Sequence, residues 1–146
     1  MARRRDPNEF IEQFASLRKA LTALAAEAYT AAGVGTMQAQ LLRYIGAHPR
    51  CSQAELARAT DSDPTLVGRA LQSLVERDWV RRARSESDKR AYLLSLGPAG
   101  RRACATVASQ RDALALRITR ALSQRDLDDF ARITTKLLGL QGPSES

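Results

Sequence analysis

Thr65, Arg69 and Gln72 are spaced by four and then three residues, so on a helix they share one face. A guanidinium can bond guanine through two hydrogen bonds, and a carboxamide can do the same to adenine. Arg82, Arg84, Lys89 and Arg90 follow, cations of the kind that meet phosphates, with Asp88 among them. This is the chemistry of recognition and not of bond making. His48 is the only histidine, and the two cysteines, Cys51 and Cys104, lie far apart. They form no metal spacing, redox pair or disulfide framework. The sequence has no catalytic triad, glycine-rich phosphate loop or carboxylate–histidine cluster. We therefore expect a protein that is not an enzyme and needs no cofactor and no metal.

The elements that must position these groups are legible. Asp63 is placed to cap a helix with Pro64 at its first position. In that helix Val67, Ala70, Leu71, Leu74 and Val75 fall on one face, and Thr65, Gly68, Arg69, Gln72 and Glu76 on the other. Gly68 is expected to let the helix approach a groove closely. Upstream, Ser52-Gln53-Ala54-Glu55 is a capping box that opens a short helix, and Thr60-Asp61-Ser62 is a tight turn. Short helix, turn and second helix give helix-turn-helix spacing. Ser62 and the amides near Ser52 and Gln53 are candidates for phosphate contact. Trp79 to Arg84 reads as a strand, Ser85 to Lys89 as a polar tip, and Arg90 to Leu96 as a return strand with Tyr92, Leu94 and Leu96 on one face. A capped helix with an open polar face, followed by a basic hairpin, suggests a reader of double-stranded DNA.

The flanks read as helices. Asp6-Pro7-Asn8-Glu9 starts one, with Asp6 as cap and Glu9 at the capping-box position. Phe10, Phe14, Leu17, Leu21, Leu24 and Ala28 form a heptad-like seam along it, to about residue 32, and such a seam suits packing on a second chain. Gly33-Val34-Gly35 breaks this helix, and Thr36 is expected to cap the next. Gly97-Pro98 opens a long alanine-rich helix to about Leu122. Ser123 starts a last one, with Leu127, Phe130, Ile133 and Leu137 on its apolar face. The tail from Gly142 to Ser146 is polar and expected to fray.

The 146 residues fit one domain, with or without an appended helical part. Hydrophobic residues make up 44%, enough for a core, which must be aliphatic because aromatics make up only 5%. The formal charge of +7 favours a polyanionic partner. Between Asp61 and Leu96, however, seven Arg or Lys face six Asp or Glu, so binding there must rest on the arrangement of charge. Arg3, Arg4 and Arg5 add an N-terminal basic arm. That arm has no apolar run behind it, and no segment is apolar enough to span a bilayer. A cytoplasmic protein without a membrane partner is expected.

The order of elements, the capping box SQAELA, the run LVGRALQSLVERDWVRR and the tip SDKRAYLLSL resemble the MarR family of regulators over roughly Glu9 to Leu138. The resemblance implies a mainly α fold with a small β-hairpin wing. The winged helix-turn-helix lobe would span 36–96 and an α-helical dimerisation region 8–32 and 98–140, all within a single unit 1–146. It implies a homodimer on a pseudo-palindromic operator, a repressor in preference to an activator, with Phe10, Phe14, Leu17, Leu21, Leu127, Phe130, Ile133 and Leu137 in the dimer contact. Arg90 matches the family arginine that reaches into the minor groove, and Asp88 would steady the wing through an ion pair or a turn bond. Asp78 stands where the family commonly has glycine, a position that needs a left-handed backbone. The resemblance also implies release from DNA by a small aromatic or phenolic ligand. With no cysteine in the first helix, peroxide sensing is not expected. Cys51 precedes a helix N-terminus, which can lower a thiol pKa, but an inert thiol is the simpler expectation. The alternative to a DNA-binding regulator is a winged-helix module that binds a protein.

Overall fold

Six helices and three short strands follow one another in the computed structural model, which describes residues 4–141. In order they are α1 (Pro7–Ala31), α2 (Thr36–Ala47), β1 (Cys51–Ser52), α3 (Gln53–Ala59), α4 (Pro64–Glu76), β2 (Val80–Arg84), β3 (Tyr92–Leu96), α5 (Pro98–Thr119) and α6 (Gln124–Leu138). Arg3 and the tail Gly142 to Ser146 lie outside the described residues. The chain forms two compact units, Met1–Arg111 and Asp112–Ser146. No helix among the described residues is long and apolar enough to cross a membrane.

Local capping chemistry sets the helix starts. Asp63 Oδ1 accepts from the amides of Thr65 (2.8 Å) and Leu66 (3.2 Å), with Pro64 at the first helical position. Ser52 Oγ accepts from the Glu55 amide at 3.1 Å, and Glu55 Oε2 accepts from the Ser52 amide at 3.0 Å, closing the expected box. Ser123 and Asp126 close a second box at α6, and these bonds from Ser123 hold the Asp126 carboxyl below its usual range. Two starts differ from expectation. Asp6 caps α1 through the Asn8 amide, but the Glu9 amide bonds the Asp6 carbonyl oxygen and no box closes. Gly35, and not Thr36, is the cap of α2: its backbone is extended whereas Thr36 is already helical, and Gln38 Oε1 accepts from the Gly35 amide.

The core of the first unit joins Tyr29 of α1, Leu41, Leu42 and Ile45 of α2, Leu56 of α3, Val67, Leu71 and Leu74 of α4, Val80 and Leu94 of the sheet, and Val107 of α5. Fully burying a side chain of this size is worth about 1.5–3 kcal/mol relative to leaving it exposed. The apolar face expected of α4 is the one that packs.

The sheet runs in the order β1-β3-β2, antiparallel throughout. The wing pairs Val80 with Leu96 through to Arg84 with Tyr92. β1 was not expected, since two residues carry no periodicity. It pairs Cys51 with Leu94 and Ser52 with Leu93, and so fixes the start of α3 to the return strand of the wing.

Asp78 adopts the left-handed conformation expected of its position, with φ 55°. The Asp78 amide bonds the Val75 carbonyl and the Trp79 amide bonds that of Leu74, which ends α4. The Arg81 side chain donates to both Asp78 carboxylate oxygens, at 3.2 and 3.1 Å, and holds that carboxyl below its usual range. Downstream, the Gly97 amide donates to the Trp79 carbonyl at 2.9 Å. A Cβ at Gly97 would lie 2.7 Å from the Asp78 carbonyl oxygen, and one at Gly100 would overlap the Trp79 carbonyl. The first turn of α5 is thus pressed onto the backbone at the foot of the wing.

In the second unit α6 buries none of its residues. Phe130 and Ile133 are exposed, while Leu127 and Leu137 are partly covered.

Candidate nucleic-acid interface

Thr65 and Arg69 are exposed on the outer face of α4, opposite buried Val67, Leu71 and Leu74. The Asp63 cap and Pro64 fix the turn that carries Thr65. Gln72 stands one turn beyond Arg69 but is engaged: its Nε2 donates to Glu76 Oε1 at 3.3 Å, and its Oε1 accepts from Arg82 Nη2 at 3.5 Å. That second bond links the outer face of α4 to the first strand of the wing. Gly68 is half-buried, and a Cβ there would face Gln53 Nε2 at 3.6 Å. That is ordinary van der Waals contact, so packing against α3 does not by itself require a glycine here.

On the α3 side, Gln53 is exposed and Ser52 is half-buried. The Ser52 amide and hydroxyl are both engaged by Glu55, so the phosphate contact expected there would meet a carboxylate. The Ser62 hydroxyl donates to the Thr60 carbonyl at 2.9 Å and keeps its lone pairs.

The wing tip is a turn organised by Ser85, a buried residue that sequence reasoning passed over. Ser85 Oγ accepts from the Asp88 amide at 3.3 Å and shares a hydrogen bond with Ser87 Oγ at 3.0 Å. Asp88 Oδ1 accepts from the Arg90 amide at 3.0 Å, a turn bond and not an ion pair. The available signal was a serine three residues before an aspartate in a polar tip, which is turn chemistry. Arg84 is partly spent on the wing: it donates to the Lys89 carbonyl, and its guanidinium lies over the Tyr92 ring at 5.1 Å. Arg69, Arg82, Lys89 and Arg90 are exposed and form no salt bridge among the described residues. Cations in that state are available to phosphate oxygens.

The first unit also holds a cleft of about 790 Å³, lined by Gln40, Arg43, Tyr44 and His48 of α2 and its C-cap, Arg101 and Cys104 of α5, and smaller neighbours. The Tyr44 and His48 rings stack at 4.1 Å, and His48 Nδ1 lies 3.1 Å from the Tyr44 carbonyl oxygen. Two arginines and no carboxylate line this cleft. Burial pushes the Cys104 thiol pKa up, against the pull of Arg43. Cys51 is buried, and burial with the nearby Glu55 carboxylate pushes its pKa up as well. The helix N-terminus does not activate it. No group of three or more His, Cys, Asp or Glu among the described residues could hold a metal ion.

Residues 32–91 match the model of the MarR family. The chain is 42% identical over 53 residues to the HTH-type transcriptional regulator BilQ of Clostridium symbiosum, a match that spans 36% of this chain and 37% of that protein. Its fold is similar to that of a mutant MarR from E. coli complexed with operator DNA, with TM-score 0.79, 22% identity and coverage of 92% of this chain and 99% of that one. It is also similar to Staphylococcus aureus MarR in complex with salicylate and kanamycin, with TM-score 0.80, 19% identity and coverage of 91% and 90%.

Proposed function

We propose that this chain is a winged-helix protein of the MarR family, a reading supported by the family match over residues 32–91 and by the shared fold, and that it is a cytoplasmic transcriptional regulator that binds double-stranded DNA as a homodimer and represses from a pseudo-palindromic operator. One observation carries the reading. The open face of α4 and a wing with unpaired Lys89 and Arg90 belong to one compact unit, joined by the Gln72–Arg82 bond and by the sheet that β1 shares with β3. A helix held this way fits the major groove, where base edges are distinguishable, while the wing reaches the flanking minor groove. Arg69 and Thr65 are the base readers in this account. Lys89, Arg82 and Ser62 meet phosphates, and Arg90 enters the minor groove. Gln72 reads a base only if it gives up its bonds to Glu76 and Arg82. Arg84 and Asp88 serve by holding the tip. Two lobes of a dimer would address half-sites about 34 Å apart on one face of DNA.

Substitutions on the best sequence recovered by in vitro selection test these roles. Arg90→Ala is expected to weaken binding to selected and shuffled DNA alike. Arg69→Ala is expected to cost about tenfold or more on the selected site and to flatten the preference at one position. A ranking of sequences that Arg69→Ala leaves unchanged would remove Arg69 from the readers.

Release by a small aromatic acid is the second part of the proposal, supported by the fold shared with the salicylate complex and by the carboxylate-free cleft beside Arg43 and Arg101. An effector acts only by binding the DNA-incompetent arrangement better than the competent one. In a thermal-shift titration salicylate should raise the unfolding midpoint of the wild type and not that of Arg43→Ala. Equal shifts in both proteins would place the ligand elsewhere.

A further inference from the structure

Between Thr36 and Ala91 the fold hides its large apolar side chains with one exception among the described residues. That exception is Leu66, 53% exposed. The other exposed large apolar residues lie on α1, at Tyr92, or from Leu116 onward. Leu66 belongs to no apolar stripe. Its neighbours three and four positions away are Asp63, Arg69, Ser62 and Ala70, which do not make the continuous patch that a protein partner would need. Its place is defined closely. It is the third residue of α4, its amide is bonded to Asp63 Oδ1 at 3.2 Å, and it follows Thr65 and lies one turn before Arg69.

We propose that Leu66 is a specificity-determining residue that packs on the C5-methyl group of a thymine next to the base pair addressed by Arg69. This rests on the DNA-binding reading above. Thr65, Leu66 and Arg69 are all exposed on the first turns of the capped helix, so a groove that takes in Thr65 and Arg69 takes in Leu66 too. In the major groove thymine is the base that offers a methyl group, and a leucine can make no hydrogen bond there. Cytosine at the same place carries only a hydrogen at C5, and Leu66 can bond neither the cytosine amino group nor the thymine O4. The side chain thus favours thymine by burying its methyl group.

The test replaces thymine with deoxyuridine, one position at a time, in the best DNA sequence selected by the wild-type protein. In the wild type, one position per half-site is expected to weaken binding about three- to fivefold, the effect of one methyl group no longer shielded from water. Leu66→Ala should bind the thymine form more weakly and should lose nothing further on deoxyuridine at that position. Leu66→Met should keep the sensitivity. Tolerance of deoxyuridine at every position by the wild type overturns the proposal. So does an equal penalty in Leu66→Ala, because the methyl is then read by another residue. A wild type that selects no sequence at all overturns the DNA-binding reading itself, and that outcome is visible before any thymine is replaced.

Discussion

Phe14→Asp is expected to split the proposed homodimer and to lower affinity for an operator with two half-sites by about a hundredfold or more. Phe10, Phe14 and Leu17 recur on α1 at the spacing of a packed seam, yet they are 45%, 51% and 43% exposed in the single chain. In the second unit Phe130 is 57% and Ile133 40% exposed on a helix that buries nothing. Each stripe is suited to burial against a second copy of the chain. A carboxylate placed in such a contact leaves an unpaired charge out of water, which strongly disfavours association. The loss of DNA affinity follows from geometry. In a dimer, occupation of one half-site delivers the second reader at high effective concentration, and a monomer loses that advantage without losing any contact in its own lobe. Sedimentation velocity should show a monomer for Phe14→Asp, and circular dichroism should show unchanged helix content because Phe14 is half exposed and lies outside the core cluster of its own chain. Phe130→Asp tests the second stripe separately. If both variants stay dimeric, the interface lies elsewhere.

Gly100→Ala should produce the largest loss of stability from a single added methyl group. Its Cβ would overlap the Trp79 carbonyl, a backbone group that also accepts from the Gly97 amide and cannot move without opening the foot of the wing. Inserting atoms into a closed contact typically costs about 1–3 kcal/mol, and a clash with backbone belongs at the upper end. Urea unfolding measures it. Gly139→Ala is the control: its nearest neighbour would be 3.4 Å away, and a change within about 0.5 kcal/mol is expected for a site with no such clash. If Gly100→Ala matches that control, α5 is not pressed on the wing as described. Weaker DNA binding by Gly100→Ala at temperatures where it is still folded would show that the same contact aims the wing.

Much of this was legible in the residues because the cues are local. Asp63-Pro64 and the Ser52–Glu55 box announce helix starts through bonds within one turn. The periodicity of Val67, Leu71 and Leu74 sorts core from open face. Asp78 signals its left-handed turn by following a helix at a position that glycine usually fills. What escaped depends on residues distant in sequence. β1 exists only because Leu93 and Leu94 lie beside Cys51 and Ser52. Gly97 reads as a helix opening, but it lies against the Asp78 carbonyl, and Gly100, which carries no signal of its own, lies against that of Trp79, both far away in the chain. Gln72 reads as a base contact and Arg84 as a phosphate contact, but each has partners that only the folded wing supplies. Leu66, read only as part of a helical run, stands out once every other large apolar side chain of its lobe is known to be covered or tied down.

Fluorescence anisotropy on the selected sequence and on a shuffled version, each titrated at two salt concentrations, tests the central claim most directly. The wild type should bind the selected duplex about a thousandfold or more tighter than the shuffled one, with two protomers per duplex. Both affinities should fall steeply as salt rises, because Arg82, Lys89 and Arg90 displace counterions from phosphates. Equal affinity for the two sequences at both salts, or no binding to either, would contradict it.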